Sequence, residues 1–121
     1  MTKILLVEDD PLNREMMTRR LAWEGYQVIS AVDGAAAVDL AEGELPDLIL
    51  MDIGLPILNG WQATQRIKAT PATRHIPIIA LTAYVLTEDH DKSIAAGCDD
   101  YESKPINFAR LQAKIQALLA S

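Results

Sequence analysis

Four places in this chain carry residues that could do chemistry. An acidic run, Glu8-Asp9-Asp10, directly follows the apolar residues 4–7. A single carboxylate, Asp52, follows the apolar residues 48–51. Thr82 follows residues 78–81, and Lys104 stands next to Pro105 just after residues 100–103. Carboxylates gathered at one place repel one another, and their pKa values rise unless a cation is supplied. Lys104 offers one positive charge, and a hard divalent cation would offer two more. An all-oxygen acidic set with an open side suits Mg²⁺, which takes one or two carboxylates plus waters and phosphate oxygens. It suits Zn²⁺ less, because Zn²⁺ prefers His and Cys. In such a set Asp52 is a candidate carboxylate nucleophile. Lys104 can pair with a phosphoryl oxygen, and the Thr82 hydroxyl can hydrogen-bond another. The chemistry implied is transfer of a phosphoryl group onto Asp52.

Each of these residues also has a plainer role. Glu8-Asp9-Asp10 could cap a helix, where acids favour the N-terminal dipole. Asp10, beside Pro11, is the first choice for that. Asp52 could be a turn residue, Thr82 a strand residue and Lys104 a solvated lysine. What the plainer roles leave unexplained is the common placement, and that depends on the elements.

Residues 4–7, 27–31, 48–51 and 78–81 are short, continuous apolar or β-branched runs, and 100–103 is a weaker fifth. Runs that do not alternate suit strands buried on both faces, as in a parallel sheet. Between them lie helical stretches at 12–24, 33–42, 60–69, 87–96 and 107–120. Met17 and Leu21 stand one turn apart in the first, and Gly25 is its stop. Asp33 and Thr87 are N-cap candidates, and Gly97 closes the fourth helix. Phe108, Leu111, Ile115 and Leu118 form a one-face stripe on the last, expected to face the core. The series is (βα)₅, an α/β doubly wound open sheet of five parallel strands. Ligand sites in such sheets lie beyond the carboxyl ends of the strands, at the switch point in strand order. The acidic run, Asp52, Thr82 and Lys104 all fall at strand ends, so one crevice should gather them.

Composition narrows the function classes. The chain has 121 residues, half of them apolar, and residues 1–121 are expected to form one domain. Its formal net charge is −6, from 17 acidic and 11 basic residues, which argues against a nucleic-acid-binding surface. One cysteine, Cys98, allows no internal disulfide and no Cys-based metal site, and is expected near a loop. No apolar run approaches the roughly 20 residues of a membrane helix, and Met1 leads straight into a strand-like run. A cytoplasmic protein without a leader is therefore expected, with a stand-alone protein favoured over a piece excised from a larger one. His75 and His90 lie at no strand end and are expected on the surface.

With those residues in view, the sequence closely resembles the receiver domain of bacterial response regulators, the chemotaxis-regulator-like branch of the flavodoxin-like fold. The stretches that carry the resemblance are KILLVEDDPLNRE from Lys3, PDLILMDIGLP from Pro46 with Asn59-Gly60 after it, IPIIALTAY from Ile76, AAGCDDYESKP from Ala95, and the closing amphipathic helix. They span essentially the whole chain in order. The resemblance implies that Asp52 is the phosphorylated aspartate. It implies that Glu8, Asp9, Asp52 and the main-chain carbonyl of Gly54 hold Mg²⁺, with Glu8 able to act through water. It makes Thr82 the hydroxyl that turns toward the phosphoryl group, Lys104 its cationic partner in a cis Lys104-Pro105 peptide, and Tyr101 the aromatic that reports the phosphorylation state. Gly54 and Tyr84 match the variable pair that tunes self-dephosphorylation. A glycine that cannot guide water and a bulky tyrosine imply a long-lived acyl phosphate.

The implied partners are a histidine kinase or a histidine phosphotransfer protein, docking near Leu12, Asn13, Met16, Ile57 and Phe108, and an unnamed downstream protein. Leu12 and Met16 could equally be core. No membrane or nucleic-acid partner is implied. The domain is not an enzyme beyond its own phosphorylation and slow dephosphorylation. A monomer is implied, and dimerisation on phosphorylation stays open.

Rival readings are weaker. A haloacid-dehalogenase-type phosphatase needs a second Asp where Gly54 stands. A flavodoxin-like FMN protein needs a phosphate loop where Glu8-Asp9-Asp10 would repel phosphate. A receiver-like module that only binds partners, without phosphorylation, has no need of the intact set.

Overall fold

The computed structural model of the chain describes residues 1–83 and 87–120, with the backbone alone at 87 and 88. Five strands, β1 (Lys3–Val7), β2 (Gln27–Ala31), β3 (Leu48–Asp52), β4 (Ile78–Thr82) and β5 (Asp100–Ser103), alternate with five helices. These are α1 (Pro11–Trp23), α2 (Gly34–Glu44), α3 (Gly60–Ala69), α4 (Thr87–Ala96) and α5 (Phe108–Leu119). The strands form one sheet in the order β2-β1-β3-β4-β5, and every pair is parallel. The doubly wound (βα)₅ expectation is therefore met.

Side chains of successive strand residues point to opposite faces, so each buried strand feeds two cores. Leu5, Val7, Ile49, Met51, Ile78 and Ala80 pack with Ala37 and Ala41 of α2 and Ala63 and Ile67 of α3. Ile4, Leu6, Leu48, Leu50, Ile79 and Leu81 pack with Met17 and Leu21 of α1 and Leu111 and Ile115 of α5. That is why β3 and β4 are buried at every position. The stripe on α5 faces this second core: Leu111 and Ile115 are fully buried, and Phe108 and Leu118 pack at its margin. Among the described residues no helix is long and apolar enough to cross a membrane.

Local chemistry fixes the helix starts. The Asp10 carboxylate accepts from Leu12 N at 3.0 Å with Pro11 at the first turn, the Asp33 carboxylate accepts from Ala36 N at 2.8 Å, and Asn107 accepts from Arg110 N at 3.0 Å. Asn59 and Gln62 form a reciprocal capping box on α3. The N-cap expected from Thr87 lies outside the described side chains. Helix α2 runs through Gly43 to Glu44, two residues beyond its expected end, and stops where Leu45 turns left-handed at φ 46°. Gly25 and Gly97, expected as stops, have φ of 92° and 112°.

One glycine positions the site itself. A Cβ at Gly60 would lie 2.3 Å from the main-chain oxygen of Asp52. Only glycine lets the start of α3 press against the end of β3, where Gly60 N donates to Ile53 O at 3.0 Å.

Candidate functional site

The strand order reverses between β1 and β3, so the two connections leave the sheet in opposite directions and open a crevice at their carboxyl ends. Register then dictates what meets there. Val7 pairs with Met51 across β1 and β3, Asp52 with Leu81 across β3 and β4, and Thr82 with Ser103 across β4 and β5. One residue further along, Lys104 N donates to Thr82 O at 2.7 Å. The sequence expectation of one shared crevice is met: Glu8, Asp9, Asp52 and Lys104 line an open cavity of about 300 Å³ with Gly54 and Ala83. Thr82 sits buried at the end of β4 beside it.

Asp52 is 5% exposed and held from two sides. Its Oδ1 accepts from Gly54 N at 3.1 Å, and its Oδ2 lies 3.2 Å from Lys104 Nζ. The same ammonium reaches Glu8 Oε1 at 3.5 Å. Glu8 is buried as well, whereas Asp9 is exposed at the mouth. Burial, then the neighbouring Asp52, push the Glu8 carboxyl from 4.5 up to about 7. Partial burial works against the Lys104 ammonium, but Asp52 and Glu8 outweigh it, and its pKa moves up. One lysine therefore does not neutralise this cluster.

Glu8, Asp9 and Asp52 each bring a carboxylate oxygen to within 4.8 Å of the others. All the donors are hard oxygens, one side is open, and charge is missing. Those three properties fit Mg²⁺. The Lys104-Pro105 peptide is cis.

Other expected residues are placed as follows. Leu12, Met16 and Ile57 are 75%, 59% and 85% exposed, so Leu12 and Met16 are rim residues and not core. Phe108 is half-buried with the Arg20 guanidinium 4.4 Å over its ring. A second, mostly apolar cavity of about 350 Å³ runs between α1 and the start of α5, bounded by Asn13, Met16, Met17, Ile106 and Phe108. Cys98 is buried beside Thr64, and burial pushes its thiol up to about 11. Tyr84 lies outside the described residues.

One expectation is corrected. His75 is exposed, whereas His90, also expected on the surface, is half-buried, with its ring stacked on Tyr101 at a centroid separation of 4.0 Å. Sequence reading also passed over Arg14, whose Nη1 donates to the carbonyls of Glu8 at 3.0 Å and Asp9 at 3.4 Å and so anchors the acidic loop to α1. A cation one turn into the helix that follows an acidic loop was the available signal.

Ile57, in the loop from Asp52 to α3, adopts φ 67°. A β-branched residue there is strained, while asparagine visits this region readily. Its side chain is almost wholly exposed and has little packing to lose. Ile57→Asn is therefore expected to raise stability by about 1 kcal/mol. A urea-unfolding midpoint that stays put or falls would contradict this.

With the geometry in hand, comparison with known proteins gives the family. Residues 4–116 match the model of the response regulator receiver domain. The chain belongs to the response regulator receiver family. It is 40% identical over 120 residues, 98% of each chain, to the polar-differentiation response regulator DivK of Brucella ovis. Among solved structures it is similar to the receiver domain of a sensor histidine kinase from Pseudomonas aeruginosa PAO1, with TM-score 0.93, 43% identity and 99% and 98% of the two chains covered. That structure has a magnesium ion coordinated in its active site cleft. It is also similar to the chemotaxis response regulator CheY4 of Vibrio cholerae, with TM-score 0.91, 28% identity and 98% of each chain covered. Receivers of this family belong to two-component systems, as signalling domains that work with histidine kinases or phosphotransfer proteins.

Proposed function

We propose that residues 1–121 act as one phosphoacceptor domain that takes a phosphoryl group from phosphohistidine onto Asp52 and changes its binding partner in response. The observation that carries this reading is the setting of Asp52. Its carboxylate is buried at the switch point, held by Lys104 Nζ at 3.2 Å and Gly54 N at 3.1 Å, with Glu8 and Asp9 within metal-ligating reach.

Glu8, Asp9, Asp52 and the Gly54 carbonyl would hold Mg²⁺, whose contribution is to neutralise charge on the transferring phosphoryl group. The chain's own residues do the rest. An oxygen of Asp52 attacks phosphorus while the phosphorus–nitrogen bond to the donor imidazole breaks. The buried walls keep Asp52 at a fixed position facing the open mouth, so approach is unimolecular once a donor is seated. The Lys104 ammonium takes a phosphoryl oxygen in place of its Asp52 contact, and the Thr82 hydroxyl turns toward another. Tyr101, on the next strand, follows Thr82. The donor is a histidine kinase or a histidine phosphotransfer protein, seated over the exposed rim of Leu12, Met16 and Ile57. The switch is a population shift between two packings.

The lifetime of the acyl phosphate follows from Gly54. Among the described residues, a Cβ there would have only Asp52 Oδ1 within 4 Å, at 3.9 Å, which leaves room for a side chain that could guide water. The wild-type phosphoprotein is expected to hydrolyse slowly, and Gly54→Asn to hydrolyse roughly tenfold faster through better placement of water. A phosphate-release time course checks both, and rapid hydrolysis in the wild type would sink the idea.

The reading as a whole is tested by incubation with acetyl phosphate and Mg²⁺ followed by intact mass. A gain of about 80 Da, one phosphoryl group, is expected, and none in Asp52→Asn. No gain in the wild type would favour a module that binds partners without phosphorylation.

A further inference from the structure

Tyr101 is gripped by two helices. Its ring stacks on the His90 imidazole of α4, with centroids 4.0 Å and planes 22° apart. The Lys114 ammonium of α5 stands 5.4 Å from the centre of the same ring and also donates to the Tyr101 carbonyl. Lys114 is itself held by Glu102 at 3.0 Å and Asp100 at 3.7 Å, on either side of Tyr101 in the chain. Arg110 donates to Glu102 from the same helix at 2.7 Å. The α5 side of the grip is thus fixed by several charges.

The α4 side is different. His90 Nε2 is buried with no hydrogen-bond partner among the described residues. Among the described residues, what holds the imidazole is its face against Tyr101. If the Tyr101 ring moves, His90 must either follow it or repack around a buried, unpaired nitrogen.

One turn along α4, fully buried Ser93 accepts a hydrogen bond from Trp61 Nε1 of α3 at 2.9 Å. Lys92 of α4 stands 5.5 Å from the centre of the Trp61 ring. The inward face of α4 therefore has two anchors three residues apart, His90 on β5 and Ser93 on α3. A helix is stiff over one turn, so displacement at the first anchor is felt at the second. Packed interfaces of this kind pass between discrete arrangements and do not deform smoothly.

We propose that His90 is the positioning residue that couples Tyr101 to helix α4, so that movement of the Tyr101 ring shifts α4 and alters the Ser93–Trp61 hydrogen bond. The proposal rests on the phosphoacceptor reading, and Trp61 provides a built-in reporter. The chain has two tryptophans, Trp23 and Trp61. Trp23 is 87% exposed at the end of α1, so Trp23→Phe isolates Trp61 at little structural cost.

In that background, phosphorylation by acetyl phosphate with Mg²⁺ is followed by intact mass, and Trp61 emission is read in parallel. The parent is expected to gain the phosphoryl mass and to shift its Trp61 emission. His90→Leu, which fills the space without an aromatic face, should gain the same mass and lose most of the emission shift. His90→Phe, which restores a stacking ring, should restore it. His90→Gln takes the place of the leucine variant should that one fail to fold by circular dichroism. A full emission shift in His90→Leu or His90→Gln overturns the coupling, as does failure of His90→Phe to restore it. A mass gain in the parent without any emission shift also overturns the coupling alone. Absence of the mass gain in the parent overturns the phosphoacceptor reading and the coupling with it.

Discussion

Lys104→Met is expected to slow phosphoryl acceptance by Asp52 by about 10²–10³-fold while leaving Mg²⁺ binding intact or slightly tighter. The two effects separate because Lys104 and the metal answer the same shortage of positive charge in different ways. Lys104 Nζ lies 3.2 Å from Asp52 and 3.5 Å from Glu8 in the resting site. Once Asp52 is attacking phosphorus, that ammonium is the side-chain cation placed to take a phosphoryl oxygen. A preorganised charge aimed at developing negative charge acts on the transition state and not on metal affinity. Methionine keeps most of the stem and removes only the charge. Without it, Glu8 loses the group that draws its pKa down, so the metal-free carboxyl should titrate above its value of about 7. Phosphorylation kinetics from acetyl phosphate, with Mg²⁺ titrated by calorimetry, separate the two quantities. Equal loss of metal affinity and rate would mean that Lys104 is a structural part of the metal site.

The second large effect is pH dependence of metal binding, and it comes from Glu8. A carboxyl raised to about 7 is largely protonated at pH 6 and largely ionised at pH 8. Metal needs the ionised form and must displace the proton. Mg²⁺ affinity is therefore expected to fall by about tenfold between pH 8 and pH 6, with close to one proton released per ion bound at pH 6. Stability of the metal-free protein should run the opposite way. The folded state holds the Glu8 proton more tightly than the unfolded chain, where the ordinary value is 4.5. This contribution favours the fold at low pH and is lost as pH rises from about 4.5 through about 7. Thermal melts in chelator should show that loss, saturating Mg²⁺ should cancel it, and Glu8→Gln should remove it. A Mg²⁺ affinity flat from pH 6 to pH 8 would contradict the assignment of Glu8 to the buried, charge-starved position.

Much of this site was legible from residues alone, for a physical reason. In a parallel sheet the strands are buried on both faces, so they stand out as continuous apolar runs, and whatever polar residue follows a run must emerge at a strand end. Asp52 and Thr82 turned out to be the last residues of β3 and β4 themselves, because the ladder pairs Asp52 with Leu81 and Thr82 with Ser103. Hydropathy ends an element at its first polar residue, while hydrogen bonding carries it one further.

Helix α4 was not legible in this way. Its apolar-looking residue Ile94 is 49% exposed, whereas Ser93 is fully buried and His90 stacks on Tyr101. The inward face is polar, made by the Ser93–Trp61 hydrogen bond and the His90–Tyr101 stack, so a search for an apolar stripe selects the wrong side. The same limit hid Glu102, which is buried under Arg110 and Lys114 and held by them below its ordinary pKa despite the opposing effect of burial. A charge in a short edge strand reads as solvent-facing until the helix that neutralises it is in place. Helix α2 differs in the other direction: its expected end is residue 42, but it continues through Gly43 to Glu44.

The central claim is that Asp52 carries the phosphoryl group. It is tested most directly by reducing the acetyl-phosphate-treated protein with borohydride, which converts an acyl phosphate to the alcohol, and sequencing the peptides by mass spectrometry. Homoserine at position 52 and at no other acid, dependent on Mg²⁺, is the result expected. Conversion at Glu8 or Asp9, or at no residue of a protein shown to be folded, would contradict it.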